Sequence, residues 1–225
     1  MSNAFLETLG LTLQLAGLTT LALLLIGIPI AYGLAHLRGF WKPLLTALVS
    51  LPLVLPPTVL GFYLLLAFSP ENGFGRWMDE LLGLRLVFTF AGLVVASVIY
   101  SLPFMVQPLQ TGFENVPSSL IEASYTLGKG HWETLRKVLL PLIRPALLTG
   151  IVLSFAHTIG EFGVVLMIGG NIPGETRVAS IAIFDEVESL QYAQAHQYAW
   201  VLLLLSFAIL VLVYTFNGKA SRILQ

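Results

Sequence analysis

The sequence predicts an all-α protein built into a membrane, with five transmembrane helices and one folded loop between the third and fourth. Of its 225 residues, 56% are hydrophobic and 10% charged, where an ordinary soluble domain is roughly 25% charged. The apolar residues gather into five runs, 9–35, 44–68, 86–107, 142–168 and 198–216, and a helix needs about 20 such residues to cross a bilayer. The strand alternative needs a closed barrel of alternating segments of about ten residues, a pattern not seen here, so the backbone in lipid must satisfy itself within helices. Short polar joints link the runs into a single unit over 9–217.

The first run, 9–35, is too long for the apolar core of a signal peptide and lacks a basic leader, so it is expected to be a span of the mature chain. The second, 44–68, contains Leu51-Pro52-Leu53-Val54-Leu55-Pro56-Pro57, whose prolines remove amide donors and must kink or break the helix. Such a break is tolerated where it packs on protein or lines a wet cavity, and packing and a pathway role both stay open. Five spans place the termini on opposite sides. Arg38, Lys42, Lys129, Arg136, Lys137, Arg144, Lys219 and Arg222 fall on one side, Arg76, Arg85 and Arg177 on the other. The positive-inside rule then puts the amino terminus outside and the carboxyl terminus in the cytoplasm.

After the third run, 86–107, the joint 110–141 is too polar to be buried and too long to be a turn. A helical hairpin is expected. Pro117-Ser118-Ser119 followed by Glu122 reads as a capping box, with Ser119 covering the Glu122 amide and the Glu122 carboxylate returning to Ser119. Leu120, Ala123 and Leu127 would share one face, Gly128-Lys129-Gly130 would stop the helix, and Trp132, Leu135 and Leu139 mark a second amphipathic helix up to Pro141. That apolar face could pack on the chain's own spans or on another chain.

The fourth run, 142–168, carries His157 and Glu161 four apart on one expected helical face. A hydrogen-bonded pair between helices is one reading and a functional acid the other, because a charge at a helix centre costs about 2.5 to 3.5 kcal/mol. Phe162 beside Gly163 would form a constriction, with Glu161 facing a neighbouring helix to hold it. Beyond, the joint 169–197 has a Pro173-Gly174 turn and then an amphipathic stretch with Val178, Ile181 and Ala182 on one face and Asp185, Glu186 and Glu188 in the polar part, which reads as a solvated helix lying on the bundle. For Arg177, attraction for an oxyanion and an ion pair with Glu175 or another nearby acid stand equal.

The absence of cysteine excludes disulfides, thiolate metal sites and a cysteine nucleophile. His36, His131, His157 and His196 lie too far apart for a zinc site. A net charge of -1 argues against nucleic acid as a partner. No G-x-x-x-x-G-K-[ST] run occurs, and Gly128-Lys129-Gly130 lacks both its spacing and its hydroxyl, so any nucleotide energy must come from another chain.

Glu122-Ala123-Ser124, then Gly128, then Val138-Leu139-Leu140-Pro141 resembles the EAA loop of ABC importer permeases, E-A-A-x3-G-x9-I-x-L-P, departing at Ser124 and Val138. The 51–57 stretch, Gly160-Glu161-Phe162-Gly163 and Asn171-Ile172-Pro173-Gly174-Glu175-Thr176-Arg177 further resemble the permease subunit of molybdate ABC transporters, over nearly the whole chain. Many of those relatives carry a sixth, amino-terminal span, and this sequence starts at what would be their second.

The resemblance implies a homodimer in a bacterial inner membrane, its pathway on the two-fold axis and its outer surface in lipid. Two cytoplasmic P-loop ATPase subunits, binding ATP and Mg, would grip the loop through Glu122, Ala123, Ser124, Gly128, Lys129, Gly130, Trp132 and Pro141. A periplasmic molybdate-binding protein would meet Asn171, Pro173, Gly174, Glu175, Thr176 and Arg177, and His157, Thr158, Glu161, Phe162 and Gly163 would form the gate or pathway. The chain itself would be no enzyme and hold no cofactor or metal. Tungstate, sulfate or thiosulfate are alternative cargoes; an intramembrane enzyme using His157 and Glu161, or a noncatalytic scaffold, are alternative classes.

Overall fold

In the computed structural model, which describes residues 3–223, all regular structure among the described residues is helical. Met1 and Ser2 lie outside the described residues, as do the side chains of Lys219 and Arg222 from the basic-residue count. Helix α1 runs Asn3–His36. It begins before the expected residue 9 because its first turn has a partner: the Phe5 ring is buried 4.6 Å from that of Tyr198.

The second run is two helices, α2 at Trp41–Val54 and α3 at Pro57–Phe68, bent by 108°. The residue before a proline is pushed out of the helical region, and Leu55 and Pro56 are both extended, at ψ 135° for each. Pro57 then starts α3, where a missing amide costs nothing. A short helix, α4 (Gly73–Leu82), follows and was not anticipated; left-handed Gly83 ends it.

Helix α5 runs Phe90–Glu114, later at both ends than the expected 86–107. Thr89 sets the start by accepting the Gly92 amide at 3.2 Å, and the end extends because Leu109, Gln110 and Phe113 are buried in the bundle. The expected loop therefore opens inside a helix. Two helices follow, α6 (Ser118–Thr126) and a second that runs from α7 (His131–Thr134) through a π-helical turn at Leu135–Leu139 into α8 (Leu140–Leu142). A 77° bend at Ile143 leads to α9 (Arg144–Gly160). Helix α10 (Gly163–Gly169) completes the fourth run, which is thus broken at 161–162 rather than continuous. The short α11 (Ala179–Glu188) precedes α12 (Tyr192–Ile223). Three helices, α1, α5 and α12, are long and apolar enough to cross a membrane unbroken, and counting each bent pair as one span brings the number to five.

The core lies where α1, α5 and α9 pack together. Leu23, Leu34, Met105, Leu109, Leu139 and Ile143 fill one end of this bundle, and Leu15, Leu93, Val165, Val178 and Ile181 the other. Residues 86–89 fold back over the first turn of α5, so a Cβ at Gly92 would collide with the Leu86 carbonyl oxygen. Gly92→Ala is therefore expected to lower the yield and thermal midpoint of the detergent-solubilised chain. Gly17→Ala, whose Cβ meets nothing within 4 Å, should be neutral or stabilising by about 0.5 to 1 kcal/mol; a thermal unfolding series on both variants checks the contrast.

Candidate functional site

Two helix breaks meet at one end of the bundle. Helix α9 stops at Gly160, Glu161 is extended (ψ 131°), and Phe162, at φ -126° and ψ -59°, leads into α10. The expectation that His157 and Glu161 share a helical face is therefore overturned, because the backbone leaves the helix between them. Gly163, just past this break, packs on Pro57 at the other: a Cβ at 163 would lie 2.8 Å from the Pro57 Cβ. Pro57, Thr58, Tyr100, His157, Glu161 and Phe162 line a cavity of about 480 Å³ at this junction.

The two expected gate groups have different surroundings. His157 Nδ1 shares a 2.9 Å hydrogen bond with Ser101 Oγ, and its ring stacks 4.0 Å from that of Phe104 and lies tilted 4.8 Å from that of Tyr100. Thr158 is buried: its hydroxyl donates to the Ser154 carbonyl at 2.9 Å and lies 3.2 Å from Ser101 Oγ. Glu161 is 4% exposed, and its carboxyl oxygens have no partner at good hydrogen-bond geometry, Ser97 being the hydroxyl that faces them. The neighbouring-helix hydrogen bonds expected for this carboxyl are thus not formed with standard geometry.

A second cavity, about 570 Å³, lies along α5 and α9 between Leu53, Phe104, Gln107, Thr111, Asn115 and Leu153. Sequence reasoning missed these polar residues. Tyr100, Phe104, Gln107, Thr111 and Asn115 recur at spacings of three and four, one face of a helix, and that periodicity, carried past the end of the apolar run at 107, was the available signal. Gln107 donates to Ser50 Oγ at 2.9 Å. Beyond it, the Lys42 ammonium pairs with Glu114 at 3.0 Å, and Gln110 donates to the same carboxylate.

The hairpin of α6 and α7 forms, but without its capping box. Pro117 is the N-cap, its carbonyl accepts the Leu120 amide at 3.1 Å, and no side chain caps the helix. Ser119 lies inside the first turn, past the position from which a hydroxyl could cap. The stop is as expected: Gly128 has φ 76°, its amide reaches the Tyr125 carbonyl and the Lys129 amide the Ser124 carbonyl, which is a Schellman motif. Gly130 precedes α7 in an extended conformation. The departure at Ser124 has a use, since its buried hydroxyl bonds Thr134 Oγ1 at 2.9 Å and ties the two helices together. Tyr125 and His131 add a 2.7 Å bond, and the Lys137 ammonium holds the Glu133 carboxyl below the usual carboxylate range. Glu122, Ala123 and Pro141 are exposed. Leu127 and Trp132, expected on apolar faces, stand 78% and 73% exposed.

In the loop before α11, the Ile172 carbonyl accepts the amides of Glu175, Thr176 and Arg177 around left-handed Gly174. Asn171, Pro173 and Glu175 are exposed. Thr176 is buried and donates to the Gly169 carbonyl at 2.7 Å. Arg177 is an ion-pair residue, 2.8 Å from Asp185 and 3.1 Å from Glu186, and its partner is not Glu175. Among the described residues no three His, Asp or Glu side chains gather as a metal site.

The chain is 53% identical, over 96% of its length and 95% of the relative's, to the molybdenum transport system permease protein ModB of Azotobacter vinelandii. It is 32% identical to the putative molybdenum transport system permease protein YvgM of Bacillus subtilis, over 97% of this chain and 95% of that one. The sulfate transport system permease protein CysT of Escherichia coli is 35% identical over 87% of this chain and 70% of its own. In fold, the chain is similar to a bacterial ABC transporter involved in the import of alginate, with a TM-score of 0.79 at 16% identity over 97% of this chain and 80% of that one. The MetNI methionine ABC transporter gives 0.67 at 18% over the full length of both. Residues 24–222 match the family described as binding-protein-dependent transport system inner membrane component, and the chain belongs to that family.

Proposed function

We propose that the chain is the membrane subunit of an ATP-driven molybdate importer, working as a homodimer with two cytoplasmic ATPase subunits and a periplasmic molybdate-binding protein. The observation that carries this reading is the 53% identity with a molybdenum permease over nearly the full length of both chains. Sulfate import is the second reading, favoured by the sulfate permeases at 35 to 36% identity. The partner ATPase would supply nucleotide and Mg, and the count of basic residues supports an outside amino terminus and a cytoplasmic carboxyl terminus.

The α6–α7 hairpin suits the role of contact with the ATPase. Its exposed Leu120, Leu127 and Trp132 form an apolar surface, while the Ser124–Thr134 bond and the glycine stop make it stiff. Movement there passes through the π turn and the Ile143 bend into α9, whose far end is the break beside the cavity. Along the α5 face the cargo would meet amides and hydroxyls, and the ammonium of Lys42 is neutralised by Glu114. Weak contacts of that kind let a dianion leave, and selectivity then rests mainly with the binding protein.

The reading predicts that the complex reconstituted with its ATPase and binding protein takes up labelled molybdate only with ATP. An equal concentration of sulfate should compete poorly; equal competition by sulfate would move the assignment to the second reading. Gly128→Val forces a branched residue into the left-handed region at about 1 to 2 kcal/mol, and its Cβ has open space around it. It should therefore fold and insert yet lose most of its ATPase stimulation by loaded binding protein, measured beside co-purification of the ATPase.

A further inference from the structure

Helix α11 is fastened on two sides. Its first amide, at Ala179, donates to buried Thr12 Oγ1 of α1 at 2.8 Å, and Ile181 packs with Leu15, Leu93 and Val165. One turn apart on another face stand Ser180 and Phe184, an i, i+4 pair. The Ser180 hydroxyl donates to the Glu161 carbonyl, and the Phe184 ring lies 5.0 Å from that of Phe162. Glu161 and Phe162 are the two residues that form the break, and the last carbonyls of a helix lack partners of their own. The opposite side of the same break rests on Pro57. At the outer end, Arg177 pairs with Asp185 and Glu186, so the exposed turn at 171–175 and α11 form one unit.

We propose that α11 is a lever that sets the conformation of the Glu161–Phe162 break, with Ser180 and Phe184 as its positioning residues. The inference rests on the import reading and deepens it: binding protein seated on the 171–175 turn shifts α11, Ser180 and Phe184 carry the shift to residues 161 and 162, and the junction with Pro57 opens or closes. Neither residue touches the cargo. Their work is transmission, so removing one should separate docking from response.

The chain has no cysteine, which makes Gly160→Cys a lone thiol in this subunit, bordering the cavity with open space for its Cβ. Maleimide labelling of that thiol is measured in the reconstituted complex, with and without molybdate-loaded binding protein, alongside the affinity of that protein and basal ATP hydrolysis. With Ser180 intact, loaded binding protein should change the labelling rate. Ser180→Ala should shrink the change by about fivefold, the equilibrium value of one neutral hydrogen bond, at unchanged binding-protein affinity; Ser180→Thr, which keeps the hydroxyl, should restore it, and Phe184→Ala should reduce it independently. An undiminished response in Ser180→Ala and Phe184→Ala would overturn the lever, as would a lost response matched by an equal loss of affinity, which assigns α11 to docking alone. A complex with intact Ser180 that neither binds the loaded protein nor takes up molybdate would refute the import reading and the lever with it.

Discussion

The contact between Gly163 and Pro57 is the constraint on which the rest of the structure depends. Irregular backbone cannot face lipid, because each unsatisfied amide or carbonyl costs several kcal/mol there. Two of the five apolar runs are nevertheless broken, at Leu55-Pro56 and at Glu161-Phe162. The Glu161 break is buried against α5, whose Ser97 faces Glu161. Pro56 and Pro57 are exposed, and Pro57 and Thr58 line the cavity that Tyr100 also borders, the setting in which open backbone is tolerated. A side chain at 163 would hold the two breaks apart. The glycine is therefore the condition under which both broken spans exist in one bundle.

The unbroken helices serve as the frame for this junction. Helices α1 and α5 pack against each other and bury residues along the length of both, from Phe5 to Leu34 and from Gly92 to Phe113, so the end of the bundle that holds the breaks is fixed relative to the end that carries the hairpin. Helix α9 is the element that joins them: it leaves the hairpin at the Ile143 bend and ends at Gly160. In the proposed mechanism, a helix with a bend at one end and a break at the other would convert a rotation at the hairpin into a displacement at the cavity. That geometry matches the membership of a family whose members work with a binding protein.

The apolar runs, the all-α class and the hairpin were legible because they depend on composition and periodicity, which the chain states directly. Gly128 was legible too, since a glycine after an amphipathic stretch has one common use. The break at Glu161 was not. Gly160-Glu161-Phe162-Gly163 contains no proline, and Gly163 packs on a residue about a hundred positions away, at Pro57, a contact the local sequence does not announce. The capping box failed for a local reason: Pro117 fixes its own φ and takes the N-cap place one residue before the serines. Gln107 was passed over as an isolated polar side chain in an apolar run, and Thr111 and Asn115 because they fell in the joint 110–141, whose first turns proved to continue α5. The partners of Arg177 lay in the next helix, beyond the reach of the Glu175 pairing that the sequence suggested.

The most direct test is a comparison of Gly163→Ala with Gly160→Ala in the reconstituted complex. The methyl group at 163 would lie 2.8 Å from Pro57 Cβ, and the one at 160 meets nothing within 4 Å. The measurement is ATP-driven uptake, with co-purification of the ATPase as the control for assembly. The account predicts that Gly163→Ala assembles and loses most of its uptake, while Gly160→Ala keeps it. Normal uptake by Gly163→Ala would contradict the account, because the two breaks would then not need to meet.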